Sequence, residues 1–159
     1  MALKKIISGG QTGVDRAALD AALAAGFPCG GWCPADRKSE DGPIPDRYPM
    51  SSLVDGSYRQ RVLKNVQASD GTAILFSQAL RGGTKLTRDL CIHEKRPFIV
   101  LDAVQIAAER AAPAIVRFIG ENEISVLNVA GPRFSGWPEG YAFALAVVKG
   151  VILDQGKNR

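Results

Sequence analysis

Short apolar runs and stretches of helical period take turns along this chain, and that alternation limits its fold more than any other feature. Residues 4–8, 27–32, 71–77, 97–101 and 125–130 are apolar runs of strand length. Residues 13–25, 58–67, 83–94, 104–118 and 141–151 read as helices. In the first of these, Val14, Ala18, Leu19, Ala22 and Leu23 share one face at three- and four-residue spacing, and Gly26 closes it. Gly30 and Gly31 weaken the second strand, and Pro113 is expected to break or kink the fourth helix. Strands that alternate with helices fold as a mostly parallel sheet with helices on both faces. The expected class is α/β.

The 159 residues are expected to form one ligand-binding domain over 1–159. A chain of this length buries enough surface to fold without disulfides or metal. Three cysteines, Cys29, Cys33 and Cys91, with the single His93, supply too few ligands at the wrong spacing for a zinc site. No metal site is expected, and the cysteines read as reduced. Twenty basic against 16 acidic residues leave a net charge of +4, which suits anionic small ligands. With aromatics at 7% and no long basic run, nucleic acid is not an expected partner. No run reaches the length of a membrane span, and the apolar start is too short for a signal peptide. A cytoplasmic protein with no membrane partner is expected.

Ligands of open α/β sheets bind outside the carboxyl ends of the strands. Here those ends read SGGQTGVDR (residues 8–16), QALRGGTKLTRD (78–89) and AGPRFSGWPEG (130–140). Glycines let a ligand approach the main chain, and a following helix offers unpaired amides and partial positive charge. Such a turn is an anion site. In the first turn, Gly9, Gly10, Gln11 and Gly13 supply backbone, and Thr12 a hydroxyl or a cap. Asp15 offsets the dipole or meets a ribose or a pterin amine, and Arg16 reaches toward a phosphate. The sequence is neither a full dinucleotide fingerprint nor a Walker loop; its plainer reading is a tight strand-to-helix turn. Gly82, Gly83, Thr84 and Lys85 repeat the logic at the second turn, and Arg133 adds charge at the third. The segment 33–50 holds four prolines and many charges, and is expected to be a long loop that closes over a ligand with Trp32 or Tyr48 against its ring. His93 reads as a surface side chain near a helix end. No Ser-His-Asp set is visible, and no residue is assigned a catalytic role.

Five ordered stretches, ISGGQTGVDRAALDAA, GGWCPADRKSEDGPIP, NVQASDGTAILF, GGTKLT and LNVAGPR, together resemble the molybdenum cofactor carrier protein family. The resemblance runs from Ile7 to about Tyr141. It implies a Rossmann-like three-layer α/β/α fold, related to the lysine-decarboxylase-like phosphoribohydrolase superfamily. It implies a homo-oligomer, a tetramer first. It implies a site for the molybdenum cofactor (molybdopterin), a pterin with a dithiolene and a terminal phosphate, and molybdoenzymes as recipients. The matched positions are Gly9, Gly10, Gln11, Thr12, Gly13, Asp15 and Arg16, then Gly82, Gly83 and Thr84, then Gly131, Pro132 and Arg133. The phosphoribohydrolases carry a glutamate shortly after their second glycine turn, where this chain has only Asp89 nearby. The first reading is therefore a carrier that binds a phosphate-containing small molecule. The alternative is a nucleotide- or ADP-ribose-binding protein, or an N-glycosidic hydrolase of the phosphoribohydrolase kind.

Overall fold

The computed structural model describes residues 2–157. The chain runs β1 (Lys5–Ile7), α1 (Val14–Ala24), β2 (Cys29–Gly30), β3 (Trp32–Pro34), a 3-10 turn (Ala35–Arg37) and β4 (Ser51–Leu53). It continues through α2 (Tyr58–Gln67), β5 (Gly71–Phe76), α3 (Gly82–His93), β6 (Phe98–Asp102), α4 (Ala108–Glu121), β7 (Val126–Ala130) and α5 (Gly140–Lys157). Five strands form one sheet in the order β2-β1-β7-β5-β6, and every pairing is parallel. All six residues of β5 are buried, as a central parallel strand requires.

Connections that travel one way along a parallel sheet leave their helices on one face, and those that return use the other. The links β2 to β5 and β5 to β6 travel one way, so α2 and α3 pack together. The links β1 to β2 and β6 to β7 travel back, so α1 and α4 share the opposite face, joined by α5. Ala18, Ile115 and Val147 from those three helices meet Leu75, Leu127 and Val129 of the sheet in the main core. Val62, Val66, Leu90 and Cys91 form a smaller core under α2 and α3. This is the Rossmann-like three-layer α/β/α arrangement anticipated from the alternation and the family resemblance.

Counted from β7, the strand order is 3-2-1-4-5, that of a doubly wound sheet. The strand that would come first lies last in the chain. Its helix α5 returns beside β1, where the Leu3 amide donates to Gln155 Oε1 at 2.8 Å. The chains leaving β7 and β5 part to opposite faces, and the crevice between their carboxyl ends is the switch point of the sheet.

Three expectations about elements change. The second strand stops at Gly30 because Gly31 adopts φ +130°, where a side chain would run into the backbone of Ser8. The chain turns there, and β3 pairs in parallel with β4 as a separate two-stranded sheet that ties the ends of the 33–50 segment together. The fourth helix starts at Ala108 rather than near Val104, because the Asp102 carboxylate accepts from the Val104 amide at 2.9 Å and holds a turn. That helix runs through Pro113 without ending. The last helix begins at Gly140 and extends to Lys157.

Candidate ligand-binding cleft

A cleft of about 950 Å³ opens at the switch point. Residues 77–79 after β5 form one side and residues 131–133 after β7 the other, with Trp137 beyond them. Gly82, Gly83 and Thr84 at the start of α3 close one end, and Tyr58 of α2 stands beside them. Arg81 caps α3 from an extended backbone without a side-chain hydrogen bond. Among the described residues, the Gly82 and Gly83 amides have no acceptor, so the α3 terminus keeps its donors and its dipole for the cleft. Arg81 and Arg133 line the same space. The site is cationic at the end where helix geometry already favours an anion.

Below the cleft, sharing Tyr58, Gly83 and Gly131 with it, lies a polar recess of about 30 Å³. Arg61 and Asp15 face each other there. Arg61 is only 5% exposed, and its Nε is buried with no hydrogen-bond partner. Its guanidinium lies 4.7 Å from the centroid of the Tyr58 ring, and it closes no ion pair with Asp15. The Asp15 carboxylate accepts from the Gln11 amide at 3.4 Å and from the Gly9 amide. Burial pushes its carboxyl up to about 6, against the pull of Arg61, the Gln11 amide and Arg16. Both side chains crowd the spot a Cβ on Gly9 would take. A buried Nε without an acceptor carries a desolvation penalty.

The first glycine turn, by contrast, is closed by the chain itself. Arg16 donates to Gly10 O, pairs with Asp41 at 2.9 Å and reaches Ser39. The Thr12 hydroxyl donates to Glu40, which also accepts from the amide and hydroxyl of Ser135. Gln11 bonds the Lys38 carbonyl at 3.2 Å. These hydrogen bonds, from Ser135 and Thr12 on Glu40 and from Arg16 and Ser39 on Asp41, hold both carboxyls below the usual range. Ile44 and Met50 cover Gly10. Gly13, at φ +80°, lies so close to the backbone of residues 132–134 that a Cβ would meet Pro132 O at 2.6 Å. Thr12, Gly13 and Arg16 line a second depression of about 570 Å³. There Asp20 accepts from the hydroxyls of Tyr48 and Tyr141. Burial, aided by that carboxylate, pushes the Tyr141 hydroxyl up to about 12.

The sequence-predicted residues therefore divide. Gly82, Gly83, Thr84 and Arg133 meet in the cleft, and Gly9 and Asp15 in the recess below it. Thr12, Gly13 and Arg16 face the other depression, and Gly10 and Gln11 are buried between. Lys85 is exposed and lines neither the cleft nor the recess. Tyr48 packs over the first turn rather than the cleft, and Cys33 is buried beside it. Sequence reasoning missed Arg61. Its signal was Arg61 and Asn65, four residues apart and each beside a valine of the buried face, Val62 and Val66.

Residues 6–152 match the Circularly permutated YpsA SLOG family. The chain belongs to that family. In this sheet, β7 is last in sequence and central in space, so the chain is permuted relative to the usual doubly wound order. A crystal structure at 1.45 Å resolution, named "Putative molybdenum carrier protein" and from Syntrophus aciditrophicus SB, is 40% identical to this SLOG protein. It superposes with a TM-score of 0.92 over 95% of this chain and 96% of its own. The resemblance drawn from the five sequence motifs is thus borne out. A comparison with curated proteins gives no match. Among the described residues, no helix is long and apolar enough to cross a membrane.

Proposed function

We propose that this protein binds a phosphate-bearing small molecule, the molybdenum cofactor foremost, in the switch-point cleft and hands it to molybdoenzymes. The observation that carries this reading is the buried, partnerless Arg61 at the base of a cationic cleft. The cleft volume of about 950 Å³ accommodates a pterin with its phosphate. The open amides of Gly82 and Gly83, with Arg81 and Arg133, suit the terminal phosphate. Among the described residues, no cysteine lines the cleft. The cofactor supplies the redox-active metal; the chain binds, orients and shields it. The name of the Syntrophus relative supports the same reading. The first glycine turn then serves as scaffold, setting Asp15 and Gly9 in the recess, and a homo-oligomer, a tetramer first, is part of the proposal.

One observation favours the hydrolase as second reading. Asp15 is a buried carboxyl whose proton is held up to about 6, the range in which a carboxylic acid can deliver a proton near neutral pH. Glu40 and Asp41, the other acids near the turn, spend their oxygens on Thr12, Ser135, Arg16 and Ser39.

The test is native mass spectrometry of anaerobically purified protein, followed by thermal-shift titration with the molybdenum cofactor, AMP and ADP-ribose. Co-purified pterin, or stabilisation by the cofactor alone, is the expected result. Arg133→Ala is expected to weaken binding by ~1.5–3 kcal/mol through loss of a charge-assisted hydrogen bond. Stabilisation by AMP or ADP-ribose alone, with release of free base, would replace the carrier with the hydrolase.

A further inference from the structure

We infer that the recess under the cleft is a ring-edge subsite: Asp15 and Arg61 together read the 2-amino-4-oxo edge of a pterin or guanine. The inference rests on the small-molecule reading above and adds which heterocycle the site takes.

The argument is one of matching donors to acceptors. Arg61 has five N–H donors and spends none of them on the described residues. A carboxylate has about four acceptor sites, and the Gln11 and Gly9 amides take two of those on Asp15. The recess therefore lacks an acceptor beside Arg61 and a donor beside Asp15. A phosphate oxygen would satisfy Arg61 but would meet the buried Asp15 carboxylate as a like charge. An amino-lactam edge satisfies both groups with no charge of its own. Its carbonyl accepts from the guanidinium, while its ring N–H and exocyclic amine donate to the carboxylate.

Shape agrees with this. The opening is lined by Gly9, Gly83 and Gly131, and the lack of side chains at Gly9 and Gly83 lets Arg61, Asp15 and the Tyr58 hydroxyl close in on the main chain. The Arg61 guanidinium lies 4.7 Å from the centroid of the Tyr58 ring, at the mouth of the recess. The recess, about 30 Å³, has room for one edge of a ligand and not for the whole of it. With the edge there, the rest of the ligand extends into the cleft toward Gly82 and Arg133.

The experiment compares ligands that differ only at that edge. GMP and AMP share ribose and phosphate; pterin and lumazine differ at the 2-amino group alone. Dissociation constants are measured by calorimetry for the wild type, Asp15→Asn and Arg61→Lys. The expected wild-type preference is about tenfold or more for GMP over AMP and for pterin over lumazine. Asp15→Asn removes a charge from a buried position and should fold. It is expected to abolish both preferences. Equal binding of GMP and AMP would overturn the ring-edge subsite and leave phosphate or ribose recognition standing. An unchanged preference in Asp15→Asn would overturn it as well. Binding of none of the four would overturn this inference together with the small-molecule reading.

Discussion

Asp15 is held in a costly state. Its carboxyl titrates at about 6 in the fold against 3.8 as a free group, although Arg61 and Arg16 both favour the charged form. Tyr58 is the remaining titratable side chain of the recess. A raised pKa means the folded state binds the proton more tightly than the unfolded chain. The resulting stability is complete below about pH 4 and is lost as pH rises through about 6. A shift of this size is on the order of 3 kcal/mol. Asp15→Asn mimics the protonated form, so it is expected to melt several degrees above the wild type at pH 8. The gain should shrink to nothing near pH 4, and melting curves across that range check it. A constant difference at every pH would show that packing, not charge, separates the two. Such burial was not legible in the sequence. Asp15 drew notice as an acid in a first helical turn that offsets the dipole or meets a ribose or a pterin amine, not as a buried one. Arg61 drew none, because an arginine on an amphipathic helix reads as solvent-facing until its neighbours are known. Gly82, Gly83 and Arg133 were legible, since a glycine pair before a helix and a cation after a strand keep their meaning wherever the sheet places them.

At the scale of elements, α2 decides the shape of the site, because Tyr58 opens it and Arg61 lies one turn on. Its start is fixed by a capping box: Ser57 Oγ accepts from the Gln60 amide at 3.2 Å, and Gln60 Oε1 accepts from the Ser57 amide at 2.7 Å. Ser57→Ala is expected to cost about 1 kcal/mol, read as a melting temperature lower by roughly 2–4 °C for a chain of this size. Amide exchange should quicken in the first turn of α2. A variant that melts with the wild type would show that tertiary contacts, not the cap, hold α2 in place. The helices and central strands were legible from period and length, and α2 begins and ends where its periodicity predicts. β3 and β4 were not. Each is three residues long, and they pair across a proline-rich segment, so neither shows an apolar run. The closure of the first turn escaped notice for the same reason. It depends on Glu40 reaching Thr12 and Ser135, residues 28 and 95 positions away.

The whole molecule is a doubly wound sheet cut open at a different place. In the sheet, β7 holds the central position from which β1 and β2 lie one way and β5 and β6 the other. The cleft depends only on that spatial order, because it forms where the chains leaving β7 and β5 part. Chain order should then be exchangeable. The join is short, since the Leu3 amide already bonds Gln155 of α5 at 2.8 Å. The opening belongs in the turn between α4 and β7, where Asn122 and Glu123 are exposed and Glu123 has a positive φ of 52°. Exposed turns of this kind are where permutation is tolerated. A variant that starts at Glu123, joins residue 157 to residue 2 through about five glycine and serine residues, and ends at Asn122 is expected to fold. Opening there releases the last turn of α4, where the Ile124 amide bonds Ile119 O, so a modest loss of about 1–2 kcal/mol is expected. Ligand affinity should match that of the parent, because no residue of the cleft or recess changes neighbours. Retained far-UV ellipticity with unchanged binding would show that the site belongs to the sheet rather than to the order of synthesis. A folded permutant that no longer binds would mean that the β6-to-β7 connection positions residues 131–133, and that the switch point alone does not make the site.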